Sequence, residues 1–361
     1  MIVIGVDAHK RSHTCVAVQE LTGRRVQLRT ASASDDGHGQ LLEWARGVGS
    51  ERVWAIEDCR HVTGRLERFL LGRGERILRV PPRLMAGVRK TAREPGKSDP
   101  TDALAIARAA LREGLDELPI AQLDEGALEI RQLVDHRDRL VSQRTALINA
   151  LRWQLHDLDP AFQVPLRGLI TPSWQQRTAR KLGRLGASVR VRIASDLLKR
   201  IRELTTAIQK LYRELAILVS AYRPALLWLP GCGVLCAAKA IGETGGAQRF
   251  PTASKYARIT GSAPVPASSG QHTRYRLDRG GNRQLNRVLH TIAITQIRTH
   301  PPARDYYQRK LAQGKTTREA LRCLKRHIAT TLWQLLQPDP ENTRSRHRRT
   351  PHTIICNTPT P

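Results

Sequence analysis

Four acidic side chains, Asp7, Glu57, Asp99 and Asp102, have the types and settings that could hold divalent cations against phosphate. Asp7 closes the apolar run MIVIGV, Glu57 follows VWAI, and Asp99 and Asp102 lie three apart in KSDPTDALAIA. Carboxylates are hard oxygen donors, so such a set suits Mg2+. Two ions roughly 4 Å apart can clamp the attacking and leaving oxygens of a phosphodiester displacement. Asp99 and Asp102 fall on one face of a helix start. Acids also favour helix N-termini on their own account, and Asp99 before Pro100 reads as an N-cap. Asp58 competes with Glu57, because strand parity leaves open which of the two faces a cleft.

The elements that must position these acids can be read from periodicity. Short β-branched runs at 2–6, 14–19 and 26–31 predict a three-strand meander. A helix follows at 38–47, a strand at 52–56, a helix at 62–72, a strand at 76–80 ending at Pro81-Pro82, and a helix from Asp99. This order predicts an α/β domain over residues 1–122, a mixed sheet covered by helices. Asp7 and Glu57 would then project from strand ends.

Charge points to the partner. The chain has 361 residues with 60 Lys+Arg against 32 Asp+Glu, a net charge of +28. The excess is concentrated in residues 226–361, which carry 22 basic and 6 acidic side chains. Such a surface attracts nucleic acid, since each phosphate neutralised releases counterions. The six cysteines form no CxxC pair, which argues against a zinc site and for reduced thiols. With no apolar run long enough to span a bilayer and no signal-peptide pattern, the expected location is the cytoplasm, at the nucleoid.

Residues 123–222 change character. Leu133, Leu140 and Leu147 recur every seven residues, and Leu197, Ile201, Leu204, Ile208, Leu211, Leu215 and Leu218 alternate spacings of four and three. This predicts a helical coiled-coil region, with core helices of an ordinary bundle as the alternative. The segment 159–186 between them reads as a tip or loop. Residues 223–336 open with LPGCG between helical stretches, a helix-hairpin-helix-like turn in which Gly231 and Gly233 would let backbone N–H groups approach a phosphate. A Gly/Ser/Pro-rich loop and two further helices complete a mostly α-helical C-terminal domain. The tail, 337–361, is basic and lacks apolar periodicity, so disorder is expected there.

The succession GVDAHK, AIED, KSDPTDA on a meander followed by alternating helices and strands resembles the RuvC-like (RNase H-fold) DEDD domain. LPGCG, YARITGSAPVPASSG and RGGN followed by RQLNRVL resemble the C-terminal domain of the DEDD insertion-sequence transposases, also called bridge recombinases. One departure is EDCRHVTG, where the family commonly has a stretch such as EATG. The resemblance covers residues 1–336 and implies a transposase that recombines DNA. It assigns Mg2+ binding to Asp7, Glu57, Asp99 and Asp102, and the nucleophile to Ser269, with Ser268 as the adjacent competitor. Arg274, Arg276, Arg279 and Asn282 would contact nucleic acid. The resemblance further implies a structured guide RNA, a homodimer or homotetramer, and a composite active site. The alternatives are a metal-dependent RuvC-like endonuclease or junction resolvase using water, and a non-catalytic nucleic-acid-binding derivative.

Overall fold

The computed structural model describes residues 1–58, 60–82, 84–85, 98–266, 275–276, 278 and 280–337. It divides into two compact units: Met1–Asp124 with Gly246–Lys255, and Glu125–Gly245 with the residues from Tyr256 onward.

The first unit is a five-stranded mixed sheet with helices on both faces, compatible with an RNase H-like domain. β1 (Ile2–Ala8), β2 (Ser12–Gln19) and β3 (Arg25–Ser32) form the antiparallel meander. α1 (Asp35–Val48) leads to β4 (Arg52–Glu57), which pairs parallel with β1. α2 (Arg60–Leu71) leads to β5 (Ile77–Val80), parallel to β4. The spatial order is β3-β2-β1-β4-β5. Because successive strand side chains point to opposite faces, the sheet builds two cores. Val3, Val16, Val18, Val53 and Ala55 meet the alanine-rich α3 (Asp99–Glu113). Ile4, Val6, Cys15, Trp54 and Ile56 meet α1 and α2. Lys255 ties the segment 246–255 to this unit through Asp116 O at 3.3 Å and Glu117 Oε2 at 3.1 Å.

The second unit is mostly helical. α4 (Glu125–Leu158) and α6 (Val189–Tyr222) run antiparallel and pack lengthwise. Ile148, Leu151 and Leu155 lie against Ala194, Leu198 and Ile201, and Arg144 reaches Thr205 at 3.3 Å. In the heptad stripe of α6, Ile201, Ile208 and Leu215 are buried while Leu204, Leu211 and Leu218 are only partly covered. The segment expected as a tip or loop instead contains the helix α5 (Pro172–Gly183). Its buried face is Gln175, Thr178 and Leu182, too polar to show apolar periodicity, and the Gln175 amide is satisfied by Leu169 O at 2.9 Å. α7 (Ala225–Trp228), α8 (Val234–Thr244), α9 (Ala253–Ile259, whose first three residues are counted with the first unit), the short pair β6 (Val265–Pro266) and β7 (Tyr275–Arg276), then α10 (Arg283–Thr299), α11 (Pro301–Ala312) and α12 (Thr317–Leu336) follow. Apart from Gln337, the expected disordered tail lies outside the described residues. Among the described residues, no helix is long and apolar enough to cross a membrane.

Candidate active site

Asp7 shares its face of β1 with Val3 and Gly5, the face covered by α3, because residues two apart in a strand point the same way. Glu57 stands in the same relation to Val53 and Ala55 on β4. The strands pair Val6 with Ile56, so Asp7 and Glu57 are the next residues along two adjacent parallel strands. Parity puts Glu57, rather than Asp58, on the face of Asp7. Asp58 lies 4.0 Å from the Arg79 guanidinium, which also grips Glu67 at 2.7 Å.

Gly5 decides where α3 can lie. A Cβ there would stand 2.0 Å from Ala103 O and 2.7 Å from Ala107 N, so the helix backbone rests directly on the strand. This close approach brings the first turn of α3 to the end of β1. The N-cap of α3 is Ser98, not Asp99 as the sequence suggested: Ser98 Oγ accepts from Thr101 N at 3.4 Å. A hydroxyl one residue earlier satisfies the helix end, which releases the Asp99 carboxylate for another partner. That partner is His9. Its Nε2 lies 3.0 Å from Asp7 Oδ2, to which it donates, and 3.5 Å from Asp99 Oδ1. A tight turn, with His9 N donating to Ser12 O at 2.9 Å, holds the imidazole in place.

The electrostatics are those of a crowded anionic site. Burial raises the Asp7 carboxyl above its ordinary pKa; His9 opposes this, and the negative charges of Asp102 and Asp99 add to it. Asp7 is 13% exposed, Asp102 is buried, and Asp99 is 55% exposed, so the cluster opens from protein to solvent. One ligand atom each from Asp7, His9 and Asp99 lie within 4.8 Å of one another. Two carboxylates and an imidazole at that spacing fit a divalent cation.

The second unit holds the other predicted residues. Ser268, Ser269, Arg274 and Arg279 lie outside the described residues. β6 and β7 pair antiparallel, with exposed Arg276 on β7. Gly261 (φ 65°) and Gly281 cross so closely that a Cβ on Gly281 would stand 2.3 Å from Gly261 N. Asn282 caps α10, accepting from Gln284 N and Leu285 N, while its Nδ2 donates to Glu243 Oε2 at 2.7 Å. Asn286 Nδ2 donates to Thr260 O at 2.9 Å, and its Oδ1 accepts from Lys325 Nζ at 2.6 Å. Asn282 thus has both ends of its amide engaged within the protein. Gly231 (φ 80°) packs against α10, its Cβ position 3.0 Å from Ile292 O, whereas Gly233 begins α8 with open space around it.

Three residues that position the acids were not singled out from sequence: Gly5, His9 and Ser98. Each had a local signal, since glycine inside a strand marks a close approach, His9 shares parity with Asp7, and serine is a preferred cap.

A family model described as a DEDD transposase of IS110 elements matches residues 4–160. A second, described as a transposase of the IS116/IS110/IS902 family, matches residues 223–308. The chain belongs to the IS110/IS116/IS902 transposase family. The first match contains all four acids and the second contains Ser269. Among its relatives, the uncharacterised 42 kDa protein of insertion element IS900 from Mycobacterium paratuberculosis is 29% identical, over 92% of this chain and 95% of its own length. The uncharacterised 44.8 kDa protein of IS116 from Streptomyces clavuligerus is 27% identical, over 93% of this chain and 94% of its own. The uncharacterised 43.6 kDa protein of IS110 from Streptomyces coelicolor is 39% identical, over 32% of this chain and 28% of its own. The transposase is therefore an enzyme of DNA transposition.

Proposed function

We propose that this transposase recombines DNA by serine attack on phosphodiesters, with Ser269 as nucleophile and Asp7, Glu57, Asp99 and Asp102 as the holders of a divalent cation, which the family resemblance gives as Mg2+. The observation that supports it best is the gathering of Asp7, Asp99 and Asp102 over one sheet face, with Glu57 beside Asp7 on the neighbouring strand. Acids otherwise repel, and a protein gains nothing in stability by crowding them without a cation. A bound divalent ion supplies Lewis-acid stabilisation of charge on the phosphate oxygens.

In the attack, the Ser269 Oγ–P bond forms and the hydroxyl proton is lost. The bridging P–O bond of one DNA strand breaks, and the released strand end takes up a proton as a hydroxyl. The phosphoester is conserved on the serine, so rejoining to a second strand needs no outside energy source. Arg274, Arg276 and Arg279 would hold the phosphate by charge-assisted hydrogen bonds. The N-terminus of α8 at Gly233, which has no side-chain cap, would present backbone N–H groups to the DNA backbone. A structured RNA pairing with donor and target DNA, and a homodimer or homotetramer, are the partners that the family resemblance implies; a net charge of +28 suits both nucleic acids.

The test uses Ser269→Ala and Asp102→Asn in an assay of strand exchange, with denaturing gels to trap a protein–DNA adduct. Loss of adduct and exchange in Ser269→Ala is expected. Strand cleavage retained in Ser269→Ala would make water the nucleophile and overturn the serine mechanism. Retained exchange in Asp102→Asn would overturn the role of the acids.

A further inference from the structure

The four acids offer only oxygen donors, yet the residue that sits between two of them carries nitrogen. His9 Nε2 is 3.0 Å from Asp7 Oδ2 and 3.5 Å from Asp99 Oδ1. Adjacent ligands of an octahedral ion, each about 2.1 Å from it, lie about 3 Å apart. The imidazole nitrogen thus stands at, or a little beyond, the spacing of neighbouring corners from each carboxylate oxygen, and one ligand atom from each of the three residues lies within 4.8 Å of the others. Two local features hold His9 there. It follows β1 in a turn closed by its own N–H to Ser12 O at 2.9 Å, and the Ser98 cap leaves Asp99 free to approach it. The ring is 51% exposed, so packing against apolar neighbours does not account for its place.

We infer that His9 is a further metal ligand, completing an Asp7–His9–Asp99 site whose mixed nitrogen and oxygen donors favour Mn2+ over Mg2+. Imidazole binds transition-metal ions, whereas Mg2+ prefers carboxylate and water. The inference rests on the reading of the acids as a metal site, and adds the choice of metal to it. His9 is then the specificity-determining residue: the carboxylates provide charge for either ion, and the imidazole discriminates between them. A merely structural His9 would serve as a counter-charge to Asp7 and Asp99, and would have to leave when a cation entered.

The full-length protein, wild type and His9→Ala, is titrated with MnCl2 and separately with MgCl2 by calorimetry. Mn2+-loaded samples are examined by pulsed electron paramagnetic resonance for nitrogen coupling. Circular dichroism checks that His9→Ala folds, as its exposure predicts. The expected result is nitrogen coupling in the wild type that disappears in His9→Ala. Mn2+ affinity should fall about tenfold or more, the scale at which metal-site shells act, with Mg2+ affinity changed much less. Mn2+ bound without nitrogen coupling, or held as tightly by His9→Ala, overturns the inference, and tighter binding would identify the imidazole as a placeholder. Asp7→Asn separates the two levels. If it abolishes Mn2+ binding while His9→Ala does not, only the role of His9 fails; if neither variant matters, or the wild type binds no Mn2+, the metal site itself fails.

Discussion

Replacing Gly5 by alanine tests whether close strand–helix packing is what assembles the acidic site. The added methyl would stand 2.0 Å from Ala103 O, 2.7 Å from Ala107 N and 2.9 Å from Ala107 Cβ. Two of these three atoms are backbone, so no side-chain rotation relieves the overlap. A carbon–oxygen contact needs about 3.3 Å, which demands that α3 move away from β1 by roughly 1.3 Å. Overpacking of this kind costs about 1–3 kcal/mol, and in a unit of this size lowers Tm by several degrees. The displacement also carries Asp99 and Asp102 away from Asp7, while ligand distances must hold to about 0.2 Å. Metal affinity should then fall by on the order of 10- to 100-fold. Thermal melting with and without added Mg2+ or Mn2+ reads both effects. A Gly5→Ala protein that keeps both its Tm and its metal-dependent rise in Tm would refute the argument that this glycine places the acids.

Other consequences follow from the same interactions. Asp7→Asn should stabilise the metal-free protein, because it removes a carboxyl that burial and two neighbouring acids disfavour in its charged form; chemical denaturation without metal checks this, and an unchanged or lower midpoint speaks against it. His13 is buried against His38, with rings 5.3 Å apart, and desolvation lowers its pKa to about 4. The folded state therefore declines a proton that the unfolded state binds below about pH 6.5. Stability is complete above that pH and falls by roughly 3 kcal/mol toward pH 4. His13→Leu should flatten this dependence in urea titrations, and an unaltered profile would remove His13 from the account. Lys325 is pushed down to about 8, first by burial and then by Arg322. Its folded form releases a proton that the unfolded chain keeps up to about pH 10.4, so it contributes a rise in stability between those values. Lys325→Met should lack that rise, and a difference between the two proteins that is constant across the range contradicts the assignment.

Much of the first unit was legible in the chain because its signals are local. Short β-branched apolar runs and partial alternation marked the strands, and the order of strands and helices implied the mixed sheet. Asp7 and Glu57 stood out as acids closing apolar runs. The heptad stripes of α4 and α6 predicted two long helices, and these pack on each other. What failed locally was also informative. α5 buries glutamine and threonine, so its periodicity was hidden, and Asp99 looked like a cap because nothing in sequence ranks it against Ser98 one residue earlier.

By itself, then, the sequence determined the strands and helices of the first unit, the two long helices of the second and the charge that attracts nucleic acid, since these depend on residue type and spacing. Tertiary structure decided which acids meet. Parity in a paired sheet assigned Glu57 over Asp58 to the face of Asp7, and the absence of a side chain at Gly5 let α3 settle close enough to bring Asp99 and Asp102 to that face. It also placed His9 between Asp7 and Asp99, a relation set by contacts between residues 90 positions apart in the chain, which no local pattern encodes.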